Sequence, residues 1–107
     1  MTFRTLLAAA MFVAIPSAVF ADHATSAQEG YKEAHDKMMQ HMMMPMSGDA
    51  DKDFAMMMIP HHQGAIDMAE VELKFGKDET LRAMAEKIIE AQKKEIKEMK
   101  DWQAAHP

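Results

Sequence analysis

From Glu29 onward, apolar residues return every three or four positions and break off only where Gly, Pro and Asp gather, the pattern of amphipathic helices separated by turns. Helix-forming residues run from Glu29 to Met44 with only Gly30 as an interruption, and Pro45-Met46-Ser47-Gly48 reads as a turn. Ser47, Asp49 or Asp51 is suited to cap a second helix. That helix is expected from about Asp51 to Phe75, with Phe54, Met58, Ala65, Met68 or Ala69, and Leu73 at helical spacing. Gly76 is expected to end it as a C-terminal glycine, and Asp78 to cap a third helix from Glu79 to about Gln103. The inner stripe of the third helix is expected to be Leu81, Met84, Ala85, Ile88, Ile89, Gln92, Ile96 and Met99. Lys93, Lys94, Lys97 and Lys100 thicken toward its end, which suits the helix dipole. The final Ala-Ala-His-Pro is expected to be loose.

Pro60 falls inside the second helix, where it removes one hydrogen bond and crowds the preceding turn. Asp51 to Ile59 is short for an independent helix, so one kinked helix is expected rather than two. The kink would lie beside His61 and His62 and would deprive the carbonyl of Met56 of its usual partner. Short connections favour antiparallel neighbours, so the fold class is all-α, built of antiparallel helical hairpins in a three- to four-helix bundle. Three helices are a thin bundle, and self-association into a homodimer would thicken it.

The first residues stand apart from this pattern. A single charge at Arg4, an apolar run from Leu6 to Ile15, Pro16, and small residues before Ala21 read as a secretory signal peptide cut after Ala21. The expected division is a leader over 1–21 and a single helical domain over 22–107. The protein is then exported, with no membrane insertion after cleavage. The chain has no cysteine, so it has neither a disulfide nor a thiolate ligand. Its net charge of −5, or −6 once Arg4 is removed, disfavours nucleic acid as a partner.

Methionine is the anomaly: 14 in all, 12 of them beyond the leader. Methionine fills irregular cores and suits adaptable binding surfaces, but thioethers are also soft ligands that select copper(I) over hard cations. In a helix, Met58 shares a face with His61 and His62, which lie three and four residues on. The first helix carries a stripe of His35, Met38, Met39 and Met42, with His41 close by; His41 with Met44, or His35 with Met38 and Met39, would each make a soft site. If the turns centre near residues 46 and 77, His35 and Met38 come level with Met58, His61 and His62. Gln92 and Glu95 then approach from the third helix, and Met99 lies near Met56 or Phe54. Convergence of these donors at one end of the bundle is therefore expected, holding copper(I) and, by the same chemistry, silver(I). Met84 is read as core, and His23 and His106 as ordinary surface residues.

The segments Asp53-Phe54, Met58-Ile59-Pro60-His61-His62-Gln63-Gly64-Ala65-Ile66-Asp67-Met68-Ala69 and Ile88 through Met99 together closely resemble the DUF305 family of exported, copper-associated helical proteins. The resemblance implies a ferritin-like bundle, a periplasmic location, and copper binding with a role in resistance, buffering or transfer to a copper-delivery partner. It marks Met58, His61, His62, Met68 and Met99 as the positions that match the family pattern. Many relatives are longer, and a single short copy again points to a dimer.

Enzyme chemistry finds little support: there is no Glu-x-x-His pair of the di-iron bundles and no His-Glu-x-x-His motif. Non-covalent haem with His and Met as axial ligands is a separate possibility that the visible spectrum decides. The strongest rival to copper is a non-enzymatic interaction or chaperone-like protein whose methionines form an adaptable apolar face.

Overall fold

The computed structural model describes residues 25–107; the leader, its cleavage site and His23 lie outside the described residues. The described residues form three helices: α1 (Ala27–Met42), α2 (Ala50–Phe75) and α3 (Glu79–Ala105). The described residues form an all-α, three-helix bundle in which α1 and α3 each pack on α2 and make no close backbone approach to each other. None of these helices is long and apolar enough to cross a membrane.

Each helix begins where a short polar side chain can satisfy its free N–H groups. Ser26 accepts from the Glu29 amide at 3.2 Å, Asp49 from the Asp51 and Lys52 amides at 3.0 and 3.1 Å, and Asp78 from the Leu81 amide at 2.9 Å. The 43–49 connection is tied to α2 by Asp53. Its carboxylate accepts from the Ser47 amide and hydroxyl, both at 2.8 Å, and from the Gly48 amide at 3.0 Å. Gly48 has φ +86, a left-handed conformation that favours glycine. The Ser47 bonds, backbone first, hold the Asp53 carboxyl below the usual carboxylate range. A depressed folded pKa means the bonds favour the fold above the unfolded value of about 3.9 and are lost as pH falls through the lower folded value. An NMR pH titration is expected to place the Asp53 carboxyl below the ordinary aspartate range, and Ser47→Ala to move it upward. An Asp53 that titrates at the ordinary value of about 3.9 would show that the clasp is open in solution.

α2 runs unbroken through Pro60, as the shortness of Asp51–Ile59 requires. Gly76 does end it, but for a reason other than backbone freedom. Its φ is −71, and a Cβ there would stand 2.6 Å from the Glu72 carbonyl oxygen, so the position is closed to side chains by crowding. Arg82 then donates to the carbonyls of Leu73 at 2.7 Å and Gly76 at 3.1 Å, satisfying the end of α2 from the start of α3. Contacts pair Lys52 of α2 with Pro107 just past the end of α3, His62 with Glu95 and Leu73 with Arg82, so the two helices run in opposite directions.

The core is small. Among the described residues, the buried apolar ones are Ala34, Ala55, Ile66, Ala69, Ala85 and Ile96, four of them alanines. Leu81 and Met84 do not join the inner stripe of α3; Met84 is 51% exposed. α3 has one neighbour instead of two, so only a narrow strip through Ala85 and Ile96 is covered. The chain end is also more ordered than the sequence suggests. α3 continues to Ala105, and the exposed His106 donates from Nδ1 to the Trp102 carbonyl at 2.7 Å while its ring stacks on the indole at 4.3 Å. The lysines of α3 serve i,i+4 pairs, Lys94 with Glu98 and Lys97 with Asp101, and none occupies the last turn.

Candidate functional site

The potential donors fall into two groups on different sides of α2. The first lies in a cleft between α2 and α3 that includes Phe54, Met58, His62, Glu95, Met99 and Trp102. Met58 and His62 are four apart on α2, and Glu95, Met99 and Trp102 follow at four and three on α3, so each helix offers one face. His62 is the only polar side chain among the buried described residues, at 8% exposure. Its Nε2 lies 2.5 Å from Glu95 Oε2, while its Nδ1 is buried without a hydrogen-bond partner. A carboxylate only accepts, so the imidazole donates from Nε2, and the neutral ring then carries its lone pair on Nδ1. Carboxylate, imidazole and free lone pair in this order are how proteins orient and strengthen a histidine ligand.

The second group lies in a groove bounded by all three helices, where Met38, His41, Met44 and Met56 share the lining with Pro60 and Gly64. Gly64 makes the approach of α1 possible: a Cβ there would stand 2.8 Å from the sulfur of Met38. On α2 this groove uses Met56, Ile59, Pro60, Gln63, Gly64 and Asp67, whereas the first cleft uses Asp51, Phe54, Ala55, Met58 and His62. At 100° per residue these are separate faces of the helix.

The expected convergence of the donors therefore does not occur. Met38 meets α2 at Gly64, and Ala34 shares a groove with Asp67 and Val71, which sets His35 well along α2 from Met58 and His62. The non-helical residues 43–49 form a connection with length of its own, so α1 is displaced along α2 relative to a tight turn centred at residue 46. His35 is exposed beside Asp36, at 3.6 Å. Met42 is half-buried at the end of α1 and lines neither cleft. His61 diverges from His62 as adjacent helical residues must, and it faces solvent with the rings 6.3 Å apart. Met68 is likewise exposed. Phe54, His61 and Met68 follow one another at intervals of seven residues, which sets three exposed side chains in one stripe along α2. Phe54 is 62% exposed on that stripe, and Met43 in the neighbouring connection is 80% exposed.

Sequence reasoning left Trp102 unassigned. Its position three residues after Met99, on the face that carries Glu95, is the signal that places it in the α2–α3 cleft. Among the described residues, no three His, Asp or Glu side chains gather into a metal-holding group.

These features define a small helical protein with methionine-rich surfaces and two thioether–imidazole clefts. The model of the family described as "Domain of unknown function (DUF305)" matches residues 5–103, and the chain belongs to that family. No curated protein sequence matches the chain.

Proposed function

We propose that this chain is a non-enzymatic, exported helical protein that binds apolar partner segments through its methionine-rich surface. The observation that carries this reading is the inversion of its apolar residues: among the described residues, Ile66 and Ile96 are the only large apolar side chains that are buried, whereas Phe54, Met68, Met43, Met44 and Met46 are exposed. Flexible, polarisable methionines beside one aromatic residue make a surface that adapts to different apolar shapes. The test is light scattering from a chemically unfolded model protein diluted into buffer with the chain present. The wild type is expected to suppress aggregation, and Phe54→Ser/Met68→Ser to lose at least half of that effect while its helical circular dichroism is unchanged. Equal suppression by the variant, or none by the wild type, would overturn the reading.

A second reading, soft-metal binding with copper(I) foremost, is favoured by His62. A buried imidazole lone pair in a cleft that also holds the thioethers of Met58 and Met99 fits a soft monovalent ion and not a hard one. In this reading His62, Met58 and Met99 would hold the ion, Glu95 would orient the imidazole, and metal would pass by ligand exchange for buffering or delivery. His61 and Met68 would serve the outward stripe instead.

A further inference from the structure

We infer that Met43 and Met46, on either side of Met44-Pro45 in the connection between α1 and α2, form an oxidation site. A two-electron oxidant of the peroxide class converts their thioethers to sulfoxides and thereby weakens the apolar surface. The weakening rests on the apolar-surface reading above; the site itself does not.

The chain has no cysteine, so no thiol of its own competes for the oxidant, and thioethers are its most readily oxidised side chains. Access then decides which sulfur reacts. Met43 is 80% exposed and Met46 66%, and no other methionine among the described residues exceeds 52%. Met38, Met56, Met58 and Met99 are half-buried. With hydrogen peroxide, the sulfur lone pair attacks one oxygen, an S–O bond forms and the O–O bond breaks. The departing hydroxide takes the proton of the sulfur-bound hydroxyl and leaves as water. Sulfur gives up two electrons, and the peroxide accepts them.

The fold keeps these reactive sulfurs apart from the ones its packing uses. Met43 and Met46 lie in the non-helical residues 43–49, whose path is set by the Asp53 carboxylate accepting from Ser47 and Gly48. None of those bonds involves a methionine, so sulfoxide oxygens at these two positions are solvated by water and leave the clasp closed. Met38 is the opposite case. Its sulfur packs so closely on α2 that a Cβ at Gly64 would stand 2.8 Å from it, and an added oxygen there would press α1 away. A sulfoxide is polar where the thioether was apolar. Two such changes at the most exposed methionines remove apolar area from the surface that would hold partner segments, while the helices stay folded.

The experiment treats the folded chain with a graded series of hydrogen peroxide concentrations and maps each sulfoxide by peptide mass spectrometry. Met43 and Met46 are expected to convert roughly twofold or more faster than Met84, and roughly tenfold or more faster than Met38 and Met99. Helical circular dichroism should not change at the dose that converts both. At that dose, suppression of aggregation of the chemically unfolded model protein is expected to fall by roughly a third or more. Met43→Leu/Met46→Leu keeps the apolar character and cannot form a sulfoxide. This variant should suppress as the wild type does, and the same dose should leave it unchanged. If Met84 or Met38 converts as fast as Met43 and Met46, the oxidation site does not exist. If the wild type suppresses equally before and after both sulfoxides form, the switch fails while the apolar-surface reading stands. If peroxide weakens the leucine variant as much as the wild type, the loss arises at other residues and the switch is again wrong. Suppression absent before any peroxide would overturn the apolar-surface reading and the switch with it, while the order of conversion would still decide the site.

Discussion

Ile66→Ala is expected to remove about 3 kcal/mol of stability, within the usual range of about 2–5 for such truncations. Ile66 is 2% exposed on the face of α2 that the other helices cover. Its neighbours in the core are mostly alanines, whose short side chains cannot swing in to fill the space left behind. A small domain has total stability near the low end of about 5–15 kcal/mol, so the loss takes away a large part of it. At roughly 4–8 °C per kcal/mol for a domain of this size, thermal unfolding followed by circular dichroism should shift down by about 12–24 °C. Met84→Ala is the matched control. The same kind of truncation on the exposed side of α3 should stay within about 0.5 kcal/mol of wild type. If the two variants lose similar amounts, the solution fold buries Met84 and the open arrangement of α1 and α3 is incorrect.

That control also shows what the sequence makes legible. Periodicity found three helices because each has an apolar stripe and a capping residue, and Asp78 and the end at Phe75 were readable from those alone. Periodicity says which residues share a face, but the number of neighbours decides how wide the buried strip is. Leu81 and Met84 fit the α3 stripe and are still exposed, because only α2 lies against α3. The α1–α2 register escaped for a different reason. Residues 43–49 have no repeat to measure, and an Asp53 clasp on Ser47 and Gly48 sets the connection's path. The displacement moves His35 away from Met58 and leaves Met38 at Gly64. Within α2 the spacing was informative: Met58 and His62 do share the cleft, and the 100° step between adjacent residues does send His61 outward. The partnership of His62 with Glu95 needed both helices in place, since which acidic residue of α3 comes level with it depends on the turn.

His62→Leu is expected to leave the helices folded and to lower copper(I) affinity of the α2–α3 cleft by at least tenfold, if that cleft is a metal site. The two halves of this prediction have different physics. For the fold, leucine gives up the bond to Glu95, worth about 1.5–3 kcal/mol when the acceptor is charged. It also removes a buried nitrogen that has no partner, whose desolvation costs about 1–3 kcal/mol, and it adds apolar surface to a core that is short of it. The terms offset, and stability should change by about 1 kcal/mol or less. For the metal nothing offsets the loss, because the lone pair on Nδ1 is gone and only neutral thioethers remain. Glu95→Gln separates orientation from charge. The amide oxygen can still accept from Nε2, so the ring stays in place, but the negative charge beside the ring is lost, and affinity should fall by less than in His62→Leu. Met58→Leu/Met99→Leu conserves volume closely and should reduce affinity without touching the imidazole. An anaerobic competition titration against a calibrated copper(I) chelator reads all three. Unchanged affinity in His62→Leu would end the metal reading of this cleft. The buried imidazole would then be a packing element held by Glu95, and the apolar surface of α2 would carry the function alone.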